Sequence, residues 1–111
     1  MILAGRLSLS HDKDDYIIFG KGRNTNLSEL LNLMLMEDIK MIVKDMYDGK
    51  TLINTEGNLI KDKVSRCYYM YHVGSVNVDE ILWNLVGRRL EIELLNVTEE
   101  ETLHGTQRRY V

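Results

Sequence analysis

The stretch Asn77-Val78-Asp79-Glu80-Ile81-Leu82-Trp83-Asn84-Leu85-Val86-Gly87-Arg88-Arg89-Leu90-Glu91-Ile92-Glu93-Leu94 decides the fold, because its design already stands 51 residues earlier, from Asn26 to Val43. In each copy an Asn precedes an apolar run with Glu three residues on, Asn26 with Glu29 and Asn77 with Glu80, the signature of a capped helix start. Leu27, Leu30, Leu31, Met34 and Leu35 then coincide with Val78, Ile81, Leu82, Leu85 and Val86, the i, i+3, i+4, i+7, i+8 spacing of an amphipathic helix. After a short break the period falls from 3.6 to 2, with Ile39, Met41, Val43 matching Leu90, Ile92, Leu94, so a strand follows each helix.

Residues 2 to 9 alternate as a strand. The polar run His11-Asp12-Lys13-Asp14-Asp15 turns the chain into a second strand at Tyr16-Ile17-Ile18-Phe19. Gly20-Lys21-Gly22-Arg23-Asn24-Thr25 reads as a loop delivering the chain to a helix over Leu27 to Met36, and Ile39 to Met46 as the next strand. Asp48-Gly49 and Glu56-Gly57-Asn58 are turn signals, which makes Thr51-Leu52-Ile53 and Leu59-Ile60 the strands of a small meander. A charged turn at Lys61-Asp62-Lys63 leads to the aromatic strand Cys67 to Val73, then a Gly74-Ser75-Val76 loop, a helix over Val78 to Val86 ended by Gly87, and a strand over Leu90 to Val97. Residues 99–111 read as a short helical turn and a loose tail.

The upstream elements echo each other too, Gly5-Arg6-Leu7 to Gly20 matching Gly57-Asn58-Leu59 to Gly74. Two readings stand: a genuine ββαβ repeat over 1–47 and 55–98, or two similar solutions to one packing problem. Either way the expected class is α+β, one domain over 1–111, with a mostly antiparallel sheet and two helices on one face; the repeat reading adds a pseudo-twofold between the halves.

With 44% hydrophobic residues in 111, the chain can bury a core without staples. One cysteine allows no internal disulfide and no multi-cysteine zinc site, so a cytoplasmic protein without metal or cofactor is expected. Met1 to Leu9 lacks the pattern of a secretory leader, and no apolar run reaches the roughly 18 residues of a membrane span. A net charge of -3 with interspersed signs carries no electrostatic footprint for direct nucleic-acid binding.

Few residues suggest chemistry. Lys21, Gly22 and Arg23, before a helix capped by Asn26, could hold a phosphate-bearing or nucleotide-like ligand through free N–H groups and two cations, although the spacing is not that of a P-loop. The histidines at 11, 72 and 104 have no metal-ligand spacing, and Cys67 has no evident base. Asp12, Asp14 and Asp15 lack the pattern of a calcium loop, and a solvated turn explains them. Tyr69 and Tyr71 share one strand face and Tyr68 the other, too small a patch for a single-strand binder. No catalytic constellation emerges, so an enzyme is not expected.

The outer helix faces say more. At 100° per residue, Leu33 and Met36 fall on the far side of the first helix, and Trp83 beyond the core arc of the second. Large apolar side chains there, with Arg108, Arg109 and Tyr110 of the tail, are candidate contacts for a protein partner or a homodimer seam. No motif assigns the chain to a named family. In style, being short, proline-free and rich in Ile, Leu and Asn, it resembles the small accessory proteins of phages and other mobile elements of low-GC bacteria. That resemblance implies a protein that binds and inhibits a host protein, including defence machinery such as CRISPR nucleases.

Overall fold

A computed structural model describes residues 1–12, 14–65 and 68–97. In chain order the elements are β1 (Ile2–Leu9), β2 (Tyr16–Gly20), β3 (Arg23–Asn26), α1 (Leu27–Leu33), β4 (Asp38–Asp45), β5 (Thr51–Ser65), β6 (Tyr68–Val73), β7 (Val76–Asn77), α2 (Val78–Asn84) and β8 (Arg89–Asn96). They form the expected α+β fold, one antiparallel sheet with two helices on one face. The strand order β3-β2-β1-β8-β4-β5-β6-β7 reads the same from either end when β1–β4 are exchanged with β5–β8.

The register locates the pseudo-twofold. Ile42 on β4 and Glu93 on β8 are 51 residues apart, the interval between the two helix copies, and they are also each other's partners across the ladder. The axis therefore passes through this pair. Each half ends in a strand that joins the other half: β4 pairs with β5 and β8, whereas β1 takes β8 as its second neighbour. The halves are interlocked rather than side by side.

Both helices start as their sequences require. The Asn26 side chain accepts from the Glu29 N–H at 2.9 Å and Asn77 from the Glu80 N–H at 3.0 Å. Each runs seven residues, too short to persist alone, and is held by apolar side chains pressed on the sheet. Leu27 and Leu31 of α1 and Val78 and Leu82 of α2 are fully buried, at about 1.5–3 kcal/mol each. The periodicity predicted longer helices. They stop early because the chain turns to bond the sheet: the N–H of Met36 donates to Leu59 O and that of Gly87 to Leu7 O.

Three expectations need correction. Glu56-Gly57-Asn58 and Lys61-Asp62-Lys63 are not turns, since β5 runs unbroken through both. Gly57 is there for proximity: a Cβ on it would stand 2.7 Å from Gly74 Cα, and one on Gly5 2.4 Å from Phe19 O. Likewise the loops expected after Gly20 and Gly74 are tight turns followed by the short edge strands β3 and β7. Cys67 and residues 98–111 lie outside the described residues.

Candidate functional site

The sheet registers make Tyr16 and Tyr71 equivalent. Leu7 opposes Ile18 as Leu59 opposes Val73, and Ile17 opposes Asn26 as His72 opposes Asn77. Both tyrosines are buried on the helix side, and each donates its backbone N–H to the second residue of its own half's helix. Tyr16 N–H donates to Ser28 Oγ at 2.8 Å, and Tyr71 N–H to Asp79 Oδ2 at 3.1 Å. The hydroxyls cross between halves. That of Tyr16 donates to Asp79 Oδ1 at 2.7 Å and that of Tyr71 to Asn32 Oδ1 at 2.9 Å.

The asymmetry of this network frees a side chain. In the second half Asp79 itself reaches the hydroxyl of Tyr16, so the position one turn on needs no acceptor. Asn32 is that acceptor in the first half; in the second the same place holds Trp83, which is 53% exposed. Above the tyrosines lies a cleft of about 400 Å³ between the halves, lined by Trp83, Tyr69, Leu9, Asp14, Asp15 and Lys61. The Lys61 ammonium stands 5.2 Å from the centre of the Tyr71 ring. Burial first, and then the carboxylates of Asp79 and Asp15, push the Tyr71 hydroxyl up to about 12. Both Asp79 oxygens are occupied by structural donors, so what faces outward is a recess of mixed character, with Trp83, Tyr69 and Leu9 beside Asp14, Asp15 and Lys61.

The sequence candidates are scattered around this cleft. Trp83 lines it, whereas Leu33 and Met36, 79% and 74% exposed, lie where α1 ends and do not line it. Arg108, Arg109 and Tyr110 fall outside the described residues. Lys21 and Gly22 form the tip of the β2–β3 turn, Arg23 opens β3, and Asn26 at the far end of β3 caps α1. These four do not converge on the helix start, and the Asn26 amide donates to Asp15 instead.

The remaining candidates have structural occupations. His72 is 4.0 Å from Asp62 on the neighbouring strand. Asp12 accepts from the Ser10 hydroxyl, the first cause holding its carboxyl below the ordinary range. Sequence reasoning missed the buried Tyr16–Asp79 pair, whose trace was two polar residues, Ser28 and Asp79, at matching places directly behind the first apolar position of each helix. It also missed Arg6 and Arg89, which only the pairing of β1 with β8 brings together.

Compared with known proteins, the chain matches no family model, no curated protein and no solved structure. Among the described residues no helix is long and apolar enough to cross a membrane.

Proposed function

We propose that this protein is a non-enzymatic module that binds a protein partner through its helical layer, with Leu33, Met36 and Trp83 as contacts. The observation that carries the reading is a comparison of the molecule with itself. At matching positions of two helices alike in length and N-cap, the second half places Asn84 where the first has Leu33, and Gly87 where it has Met36. The fold is therefore satisfied by small or polar residues there, and the exposed Leu33 and Met36 serve something other than folding. Trp83 repeats the pattern opposite Asn32.

Met36 adds a cost to the argument. It holds φ at 70°, the left-handed region, and it is the one non-glycine residue to do so among those described. Strain retained by an exposed methionine is what a binding contact explains and packing does not. In keeping with its resemblance to phage and mobile-element accessory proteins, the partner is a host or defence complex such as a CRISPR nuclease, met in the cytoplasm, where a chain with one cysteine and no disulfide is at home.

The test is affinity purification from the native host, followed by direct titration of the captured protein with the pure chain. Replacing Leu33 and Trp83 with Lys is expected to abolish capture while leaving the circular dichroism spectrum unchanged. Light scattering on the same proteins separates a foreign partner from a homodimer. Unchanged mass together with undiminished capture by the double variant overturns the reading.

A further inference from the structure

On the sheet face away from the helices, β1 and β8 set Arg6 directly opposite Arg89. Like charges in that position repel, and sheets avoid them unless something neutralises the pair. Among the described residues neither arginine makes an ion pair; the nearby Arg88 does, with Asp45 at 3.3 Å. Glu91, two residues along the same face of β8, stands opposite Ala4 and Lys44.

The other half again supplies the comparison. The positions equivalent to Arg6 and Arg89 are Asn58 and Asp38, also opposite each other, and there the Asn58 amide donates to Asp38 at 3.4 Å and to the Met36 carbonyl at 2.9 Å. This ladder position thus accepts a hydrogen-bonded neutral and acidic pair. Two arginines are not a requirement of the fold.

Around them the chain gathers more of the same chemistry. The tight β2–β3 turn brings Lys21 to the pair, β2 sets Phe19 opposite Arg6, and the turn after β4 supplies Met46. Together these five side chains line an open groove of about 570 Å³ with no carboxylate in its wall. Phe19 is 42% exposed, an aromatic ring left at the edge of three cations.

We propose that this groove binds a nucleotide, its phosphates held by Arg6, Arg89 and Lys21 and its base against Phe19 and Met46. Two guanidinium forks and an ammonium offer more donors than one carboxylate can accept, whereas a phosphoryl group with three acceptor oxygens matches them. A base has a flat face for the ring. The chain's overall negative charge favours a small ligand over a nucleic-acid strand. The site stands apart from the helical surface and does not depend on it.

Calorimetric titration of the full chain with ADP, pyrophosphate and adenosine tests this. ADP and pyrophosphate are expected to bind, more weakly as salt rises, and adenosine not to. The double variant Arg6→Asn/Arg89→Asp, which rebuilds the pair of the other half, is expected to keep the thermal midpoint and weaken ADP about 100-fold, roughly tenfold for each guanidinium removed. Phe19→Ala is expected to weaken ADP and spare pyrophosphate. Should the double variant fail to fold, Lys21→Ala on the exposed turn carries the same expectation, about tenfold. No heat with either phosphate ligand at millimolar concentration, or wild-type affinity in the charge variants, overturns the proposal. So does binding of a single-stranded oligonucleotide or a Glu-rich peptide more tightly than ADP.

Discussion

Tyr16 and Tyr71 occupy equivalent places in the two halves, and each sends its hydroxyl across to the other half's helix. Tyr16 reaches the carboxylate of Asp79, and Tyr71 reaches the amide of Asn32 and the carbonyl of Ser28. The two bonds hold the helices over the sheet but differ in chemistry, since one acceptor is a buried carboxylate oxygen and the other an amide oxygen at the edge of the cleft.

That difference sets an order of cost. Tyr16→Phe leaves a buried carboxylate without its best donor and is expected to destabilise by about 1.5–3 kcal/mol, the range for hydrogen bonds to charged groups. Tyr71→Phe leaves an exposed amide that water can satisfy, for about 0.5–1.5 kcal/mol. Urea unfolding with an unchanged m-value measures both. Equal costs, or the reverse order, would show that the Asp79 bond is not the stronger.

Tyr71 also gives the fold an alkaline limit. Its hydroxyl is raised from about 10 to about 12 by burial and by Asp79 and Asp15, so the folded state prefers the neutral phenol. Below pH 10 the phenol is neutral in folded and unfolded chains alike, and the contribution is fully present. As pH rises from 10 through 12 the unfolded chain ionises first and the contribution is lost. Stability should fall over that window, and Tyr71→Phe should remove its share of the slope. Denaturation midpoints across the window, with tyrosinate absorbance as the second readout, check this.

Met36 should show stability and binding pulling apart. A non-glycine residue in the left-handed region costs roughly 1 kcal/mol, and its counterpart Gly87, at φ 95°, escapes that cost. Met36→Gly is therefore expected to stabilise the fold by about 0.5–1 kcal/mol while weakening the partner. Gly87→Met is expected to destabilise by about 1 kcal/mol. Thermal midpoints read the first effect and titration of the captured partner the second; a Met36→Gly protein that is less stable would mean Met36 packs rather than projects.

The helices, their caps and the central strands were legible in the sequence because local periodicity and the Asn–Glu pattern determine them. Gly57 was not: as a letter it signals a turn, and only the approach of Gly74 across the sheet explains it. For the same reason β3 and β7 were hidden, being too short to carry a period and existing only as partners of β2 and β6. Leu33, Met36 and Trp83 could be placed outside the core from helix geometry alone. Arg6 and Arg89 are 83 residues apart, and nothing local in either strand tells of the other.

The exchange of β4 and β8 predicts how the molecule comes apart. Cutting the exposed turn between Asp48 and Gly49 separates the halves without touching any strand. The first fragment then keeps β4 with neither of its neighbours, β5 and β8. Ile39, Met41 and Val43, fully buried in the intact chain, lose cover at about 1.5–3 kcal/mol each. The second fragment loses β1 and β4 from beside β8 in the same way. Neither fragment is expected to fold by itself, and an equimolar mixture should recover the native circular dichroism with a midpoint that rises with concentration. A first fragment that folds alone and gains nothing from the second would mean that each half is held by its own meander, and that the exchanged strands are not what joins them.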